Sequence, residues 1–152
     1  MFVDVAYAIH PDFKNHTGWV MIFGKGAAQS GSIKQKLVTR STCEAKLVGA
    51  DNASTKILWT KLFMEAQGYK IRENILYQDN KSTILLLNNG KASSEKRTRA
   101  IDIRYFFLHD QQQKGNVKVE CCPTGEMIGN FMTKLKQGQD FKQFWNNVMG
   151  SE

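Results

Sequence analysis

Apolar and polar positions along this chain predict a group of strands first and helices afterwards. Residues Phe2–Ala8 (FVDVAYA) form an apolar run broken by one charge, Asp4, and predict a strand. A turn-rich stretch, His10–Gly18, leads to a second apolar run, Gly18–Gly24 (GWVMIFG), and Gly26–Ile33 predicts a short third strand. Strands so closely spaced predict an antiparallel meander. Ser41 then opens a long helix. Ser41 and Glu44 have the spacing of a capping box, in which the hydroxyl accepts from a first-turn amide and the acid reaches back. Ala45, Val48, Ile57, Leu58, Leu62 and Ala66 supply an apolar stripe, and Gly68 supplies a stop.

Beyond the long helix the pattern changes to alternating strands and helices. Glu73–Gln78 (ENILYQ) predicts a strand that ends at Asp79, and Asn80–Asn89 a short helix closed by Gly90. Lys91–Arg99 is polar and basic and reads as an exposed loop. Ile101–Lys114 is helical, with Ile101, Tyr105 and Leu108 on one side. Asn116–Cys122 alternates as a strand and Pro123 ends it; Glu126–Leu135 and Asp140–Met149 read as helices. The order β-β-β-α-β-α-α-β-α-α implies one domain, residues 1–152, with a mixed sheet and helices packed on it. Trp19, Trp59, Phe63, Tyr105 and Phe106 lie in periodic segments and are expected in the core.

Length adds that a core can form without disulfides, since a domain of 152 residues buries roughly 68–70% of its unfolded surface. Charge adds more. Lys and Arg number 21 against 14 acids, a net charge of +7, which suits a polyanionic partner such as nucleic acid, although solubility alone also accounts for it. Three cysteines, two of them adjacent, suggest neither a disulfide framework nor a zinc site. A reduced, intracellular setting is therefore expected. No apolar run approaches the roughly 18 residues of a membrane span, and Asp4 breaks any signal peptide.

Three acids occupy unusual places. Asp4 lies inside a strand, Glu44 in the first turn of a helix, and Asp79 where a strand meets a helix. A carboxylate inside a strand is costly unless a cation or donor meets it. Acids on neighbouring elements can hold Mg²⁺, which takes few carboxylates together with water and phosphate. Each acid also has an ordinary explanation: Glu44 as a capping acid, Asp79 as a helix cap, and Asp4 as the partner of a lysine.

The blocks VDVAYA, TGWVMIFGKGAAQSGSIKQKLVTRSTCEAKLVGA, YQDNKSTILLLNNG, RAIDIRYFFLHD and CPTGEMIGNFMTK, in this order, resemble the ribonuclease H domain of copia-type retrotransposon polyproteins from Val3 to about Gly150. The resemblance implies an α/β ribonuclease H-like fold, with a five-stranded mixed sheet whose first three strands are antiparallel. It implies cleavage of the RNA strand of an RNA·DNA hybrid with two Mg²⁺ ions, for which Mn²⁺ can substitute. It places the catalytic and metal-binding positions at Asp4, Glu44, Asp79 and Asn130. The family usually has an acid at position 130; Asn keeps an oxygen but loses the charge. Ala100 and the pair Leu135-Lys136 also depart from the family pattern. A hybrid-binding relic without cleavage is the alternative. An integrase-like nuclease is disfavoured by the order Asp, Glu, Asp.

Hybrid recognition relies on phosphates and 2′-hydroxyls rather than on bases. Lys34, Lys36 and Arg40 form one candidate phosphate-binding cluster, Lys96, Arg97 and Arg99 a second, and Lys134 and Lys136 a third. Ser41, Thr42 and Asn80 stand beside the acids and are candidate contacts to sugar or base edges, and Tyr7 is a candidate stacking residue. No histidine lies between Pro123 and Asn130, so none is expected to act in proton transfer. The expected partners are the hybrid and a reverse transcriptase domain of the same polyprotein. The isolated domain is expected to be a monomer, located in the cytoplasm within a retrotransposon particle. A start three residues before Asp4 fits an excised domain.

Overall fold

The structure, a computed structural model, describes residues 1–89 and 99–151, the side chains of 89 and 99–101 excepted. Five strands, β1 (Phe2–Ala6), β2 (His16–Ile22), β3 (Ala27–Lys34), β4 (Ile75–Gln78) and β5 (Lys118–Cys121), form one sheet in the order β3-β2-β1-β4-β5. The β1–β2 and β2–β3 pairs are antiparallel, and the β1–β4 and β4–β5 pairs are parallel. This is the mixed sheet that the element order implied and the ribonuclease H-like one that the resemblance implied. The helices are α1 (Thr42–Ala66), α2 (Lys81–Asn89), α3 (Arg99–Gln113) and α4 (Gly138–Met149).

Sequence accounts for each placement. β1 is short, apolar and almost wholly buried, so it takes the centre. β3, rich in Gly, Ser and Gln, is largely exposed and takes an edge. Helix α1 begins as expected: Ser41 Oγ accepts from the Glu44 amide at 3.2 Å, and the Glu44 carboxylate accepts from the Arg40 amide at 2.8 Å. Gly68, at φ +87°, turns the chain out of the helix where a side chain would be strained. The core lies between the sheet and α1 and α3, around Val3, Leu47, Leu76, Leu87, Tyr105 and Leu108.

Two expectations are corrected. Burial along α1 stops at Thr60, so Leu62 and Ala66 do not continue the apolar stripe. Trp59 and Phe63 are exposed and stack on each other at 5.2 Å, and Phe106 is also exposed; Trp19 and Tyr105 are buried as expected. The helix continues after its buried contacts have ended, so the sequence period carries on without a core to face. The second correction concerns Glu126–Leu135. This stretch is not an α-helix but two short 3-10 turns, Thr124–Glu126 and Ile128–Met132. Gly125 and Gly129 weaken a helix here. Gly129 also lies against β1, where an added Cβ would sit 3.0 Å from the Asp4 amide nitrogen. The Gly90 stop and the 91–98 loop lie outside the described residues.

Candidate functional site

Because β1 and β4 run parallel with Phe2 opposite Tyr77, the same register carried on two residues sets Asp4 level with Asp79. Asp4 is buried and Asp79 nearly so. Helix α1 passes this pair at residue 46. Lys46 Nζ donates to Asp4 Oδ1 at 3.2 Å and to Asp79 Oδ1, and its side chain is only 9% exposed. The Gln78 amide, on β4, donates to the Lys46 carbonyl at 3.4 Å and fastens this turn of the helix to the sheet.

The 3-10 turns close the other side. The Thr133 hydroxyl donates to Asp4 Oδ2 at 2.6 Å, and Lys134 Nζ lies 3.4 Å from the same oxygen. The Thr124 hydroxyl donates to Asp79 Oδ2 at 3.5 Å. Asn130 is buried; its amide donates to the Thr124 carbonyl at 3.0 Å and its Oδ1 accepts from Lys134 Nζ at 2.8 Å. Burial pushes the Asp4 carboxyl up, but the Thr133 hydroxyl and the Lys46 and Lys134 ammoniums outweigh it. The carboxyl therefore titrates below its ordinary value of 3.8.

Of the four expected positions, the structure brings Asp4, Asp79 and Asn130 into one hydrogen-bonded cluster. Glu44 goes elsewhere: its carboxylate accepts from the Arg40 amide just before its own helix. Mg²⁺ wants oxygen ligands at about 2.0–2.1 Å in a near-octahedral set. As arranged, the residues do not fit one. The oxygens of Asp4 and Asp79 that face each other share an ammonium, and the Asn130 oxygen takes another. Among the described residues, no three His, Cys, Asp or Glu side chains are grouped so as to hold a metal ion.

The expected contact residues are spread around this cluster. Lys34 is tied to Asp12 at 2.9 Å; this contact leads the influences, with Lys14, that hold the Asp12 carboxyl at about 2. Lys36 and Arg40 are exposed on the connection between β3 and α1. Ser41 and Asn80 serve as helix caps, Asn80 Oδ1 accepting from the Thr83 amide at 2.9 Å; Thr42 is exposed. The Tyr7 ring is exposed, and its hydroxyl donates to the Thr39 carbonyl at 3.5 Å. Lys136 pairs with Asp140 and lies over the Phe144 ring. Lys96 and Arg97, and the side chain of Arg99, lie outside the described residues.

Sequence reasoning missed Lys46, Thr124 and Thr133. A signal for Lys46 was present: it is the one charge in the apolar run Ala45–Ala50 (AKLVGA). The close fit of the 3-10 turns also depends on Gly18, which pairs with Asp4 across β1 and β2. A Cβ at position 18 would meet Met132 Cβ at 2.6 Å and Thr133 Cγ2 at 2.7 Å. Gly18→Ala is therefore expected to cost about 1–3 kcal/mol through overpacking. It should also lift Thr133 off Asp4. Urea denaturation together with the Asp4 carboxyl shift in NMR checks this; an unchanged midpoint and an unchanged shift would show that the turns yield without loss.

No family model matches the chain. It is 30% identical over 129 residues to the retrovirus-related Pol polyprotein from transposon TNT 1-94 of Nicotiana tabacum, covering 85% of this chain and 10% of the relative. It is 27% identical over 138 residues to the corresponding polyprotein from transposon RE1 of Arabidopsis thaliana, covering 90% of this chain and 9% of the relative. The chain thus spans about a tenth of the length of these curated relatives. With the ribonuclease H-like sheet, these likenesses show that the chain is homologous to a segment of the retrovirus-related Pol polyproteins of plant transposons.

Proposed function

We propose that this chain is the ribonuclease H domain of a copia-type Pol polyprotein, that it grips the RNA·DNA hybrid of reverse transcription, and that its cleavage of the RNA strand is strongly weakened. The observation that carries this reading is the juxtaposition of Asp4 on β1 with Asp79 just past the end of the parallel neighbour β4, closed by Asn130 from the C-terminal segment. Mg²⁺, or Mn²⁺ in its place, is the cofactor proposed for such hydrolysis. Lys46, bonded to both aspartates, disfavours that ion. A second reading, hybrid binding without cleavage, is favoured by the same lysine together with Asn130. A partnership with a reverse transcriptase domain of the same polyprotein is part of the proposal.

The test is a labelled RNA·DNA hybrid titrated with the 152-residue chain. Binding is expected to be saturable and to weaken with salt, by roughly 0.9 in log–log slope for each phosphate neutralised. Removing the charges of Lys36 and Arg40 together should flatten that slope by roughly 1.8. Slow, divalent-dependent cuts in the RNA support the first reading. Binding without cuts selects the second. Affinity that ignores salt, or is equal for a neutral polymer, overturns both.

A further inference from the structure

We propose that position 46, rather than 44, is where α1 faces the aspartate pair, and that Lys46 is a built-in counter-cation standing where a divalent ion would have to bind. The inference rests on the ribonuclease H reading and deepens it.

Helix geometry gives the first argument. Residues two apart on an α-helix point to nearly opposite sides and do not share a face. Positions 44 and 46 therefore cannot both address Asp4 and Asp79. The structure shows which one does. The Lys46 ammonium donates to both carboxylates, and its backbone carbonyl is held by Gln78. Glu44 turns back to the Arg40 amide, completing the helix cap.

Charge gives the second argument. Two carboxylates meet two ammoniums, Lys46 between Asp4 and Asp79, and Lys134 between Asp4 and Asn130. The cluster is neutral without any ion. A divalent cation entering it would meet positive charge and would find the facing oxygens already hydrogen-bonded. Lys46 is nearly excluded from water, so its ammonium has no ready route to solvation. Asn130 acts in the same direction: an acid there would leave a negative charge unmatched, whereas its amide satisfies the Thr124 carbonyl. The lysine and the asparagine are thus two parts of one arrangement, a site balanced by the chain's own cations.

The experiment measures metal binding directly, by calorimetric titration of Mn²⁺ and by the shift in thermal midpoint between Mn²⁺ and chelator. The wild-type chain is expected to show no saturable binding at the site. The double variant Lys46→Glu with Asn130→Asp should bind Mn²⁺ at least about tenfold more tightly than wild type, a tenfold change being 1.4 kcal/mol. Its thermal midpoint should rise with Mn²⁺. Glu44→Gln in that background should leave the gained binding in place. Lys46→Met is the second route should the double variant not fold: it removes the ammonium without adding an acid, and weak Mn²⁺ binding should appear. Wild-type binding as tight as that of the double variant overturns the proposal. So does a folded double variant that gains nothing, or loss of the gained binding on Glu44→Gln. Hybrid binding, measured in chelator on the same proteins, tests the other reading separately. Gained metal affinity with no hybrid binding would retain the Lys46 assignment and reject the ribonuclease H reading.

Discussion

Asp4→Ala is expected to destabilise the fold by about 3–5 kcal/mol, the usual cost of removing one member of a buried ion pair. Asp4 is 1% exposed and is the acceptor for Lys46, Lys134 and Thr133. Without it, the Lys46 ammonium keeps only Asp79, and the Thr133 hydroxyl loses its carboxylate. Lys46→Met should be comparably destabilising at neutral pH, but its penalty should shrink as pH falls toward 3.8, where that of Asp4→Ala should still hold. In the wild type the Asp4 carboxyl is held below its ordinary value of 3.8. Its contribution is thus complete above that value and is lost as pH falls through the lowered folded value. In Lys46→Met the two aspartates face each other without a cation between them, so the Asp4 carboxyl is pushed up from its wild-type value. The penalty is then full at neutral pH and fades as acid protonates Asp4. Urea denaturation of both proteins from neutral pH toward pH 3.8 checks this. Parallel curves would show that Lys46 does not neutralise the pair.

The second large effect is expected at Gln35, which is buried in a polar network beside α1. Its amide donates to Thr17 Oγ1 and to the Ala45 carbonyl, each at 2.9 Å, and its oxygen accepts from Asn15 Nδ2 at 2.8 Å. Asn15 in turn bonds Thr39 Oγ1 at 3.0 Å and accepts from the Ala8 amide at 2.9 Å. Gln35→Leu strands several buried groups at once, each costing about 1–3 kcal/mol when left unsatisfied. A total of about 2–4 kcal/mol is expected. Hydrogen exchange at the Ala8 and Gln35 amides should quicken with it, because the Gln35 amide itself bonds the Asn15 carbonyl at 2.8 Å. A loss of only about 0.5 kcal/mol, as at ordinary surface positions, with unchanged exchange, would show that the network adds little.

The pattern of the chain made the strands, the order of the elements and the start of α1 legible, because these rest on local physics. FVDVA is too apolar for an edge, and Ser41 caps the helix it precedes. Asp4 and Asp79 were legible as misplaced charges. Lys46 was marked only as the one charge in an apolar run; a lysine on a helix is usually solvated, and the packing of α1 against β1 and β4 turns it inward. Glu44 suited two roles by spacing, and the structure engages it in the capping one. The C-terminal turns were mistaken for a helix because their course follows the surface of β1, which periodicity does not encode. Trp59 and Phe63 show the converse, an apolar period that continues after its partner surface has ended.

The two halves of the cluster are joined over very different stretches of chain. Lys46 reaches Asp4 across 42 residues and Asp79 across 33, whereas Thr133 reaches Asp4 across 129. Closing the longer loop costs about 1 kcal/mol more in chain entropy than closing the 42-residue one. The lysine bridge can therefore form within the first 79 residues, before the C-terminal turns are in place. In refolding, the aspartates can thus gain a cation of their own before Thr133 and Lys134 close over them. The refolding chain carries, in Lys46, the charge that offsets the two aspartates as β1 and β4 come together.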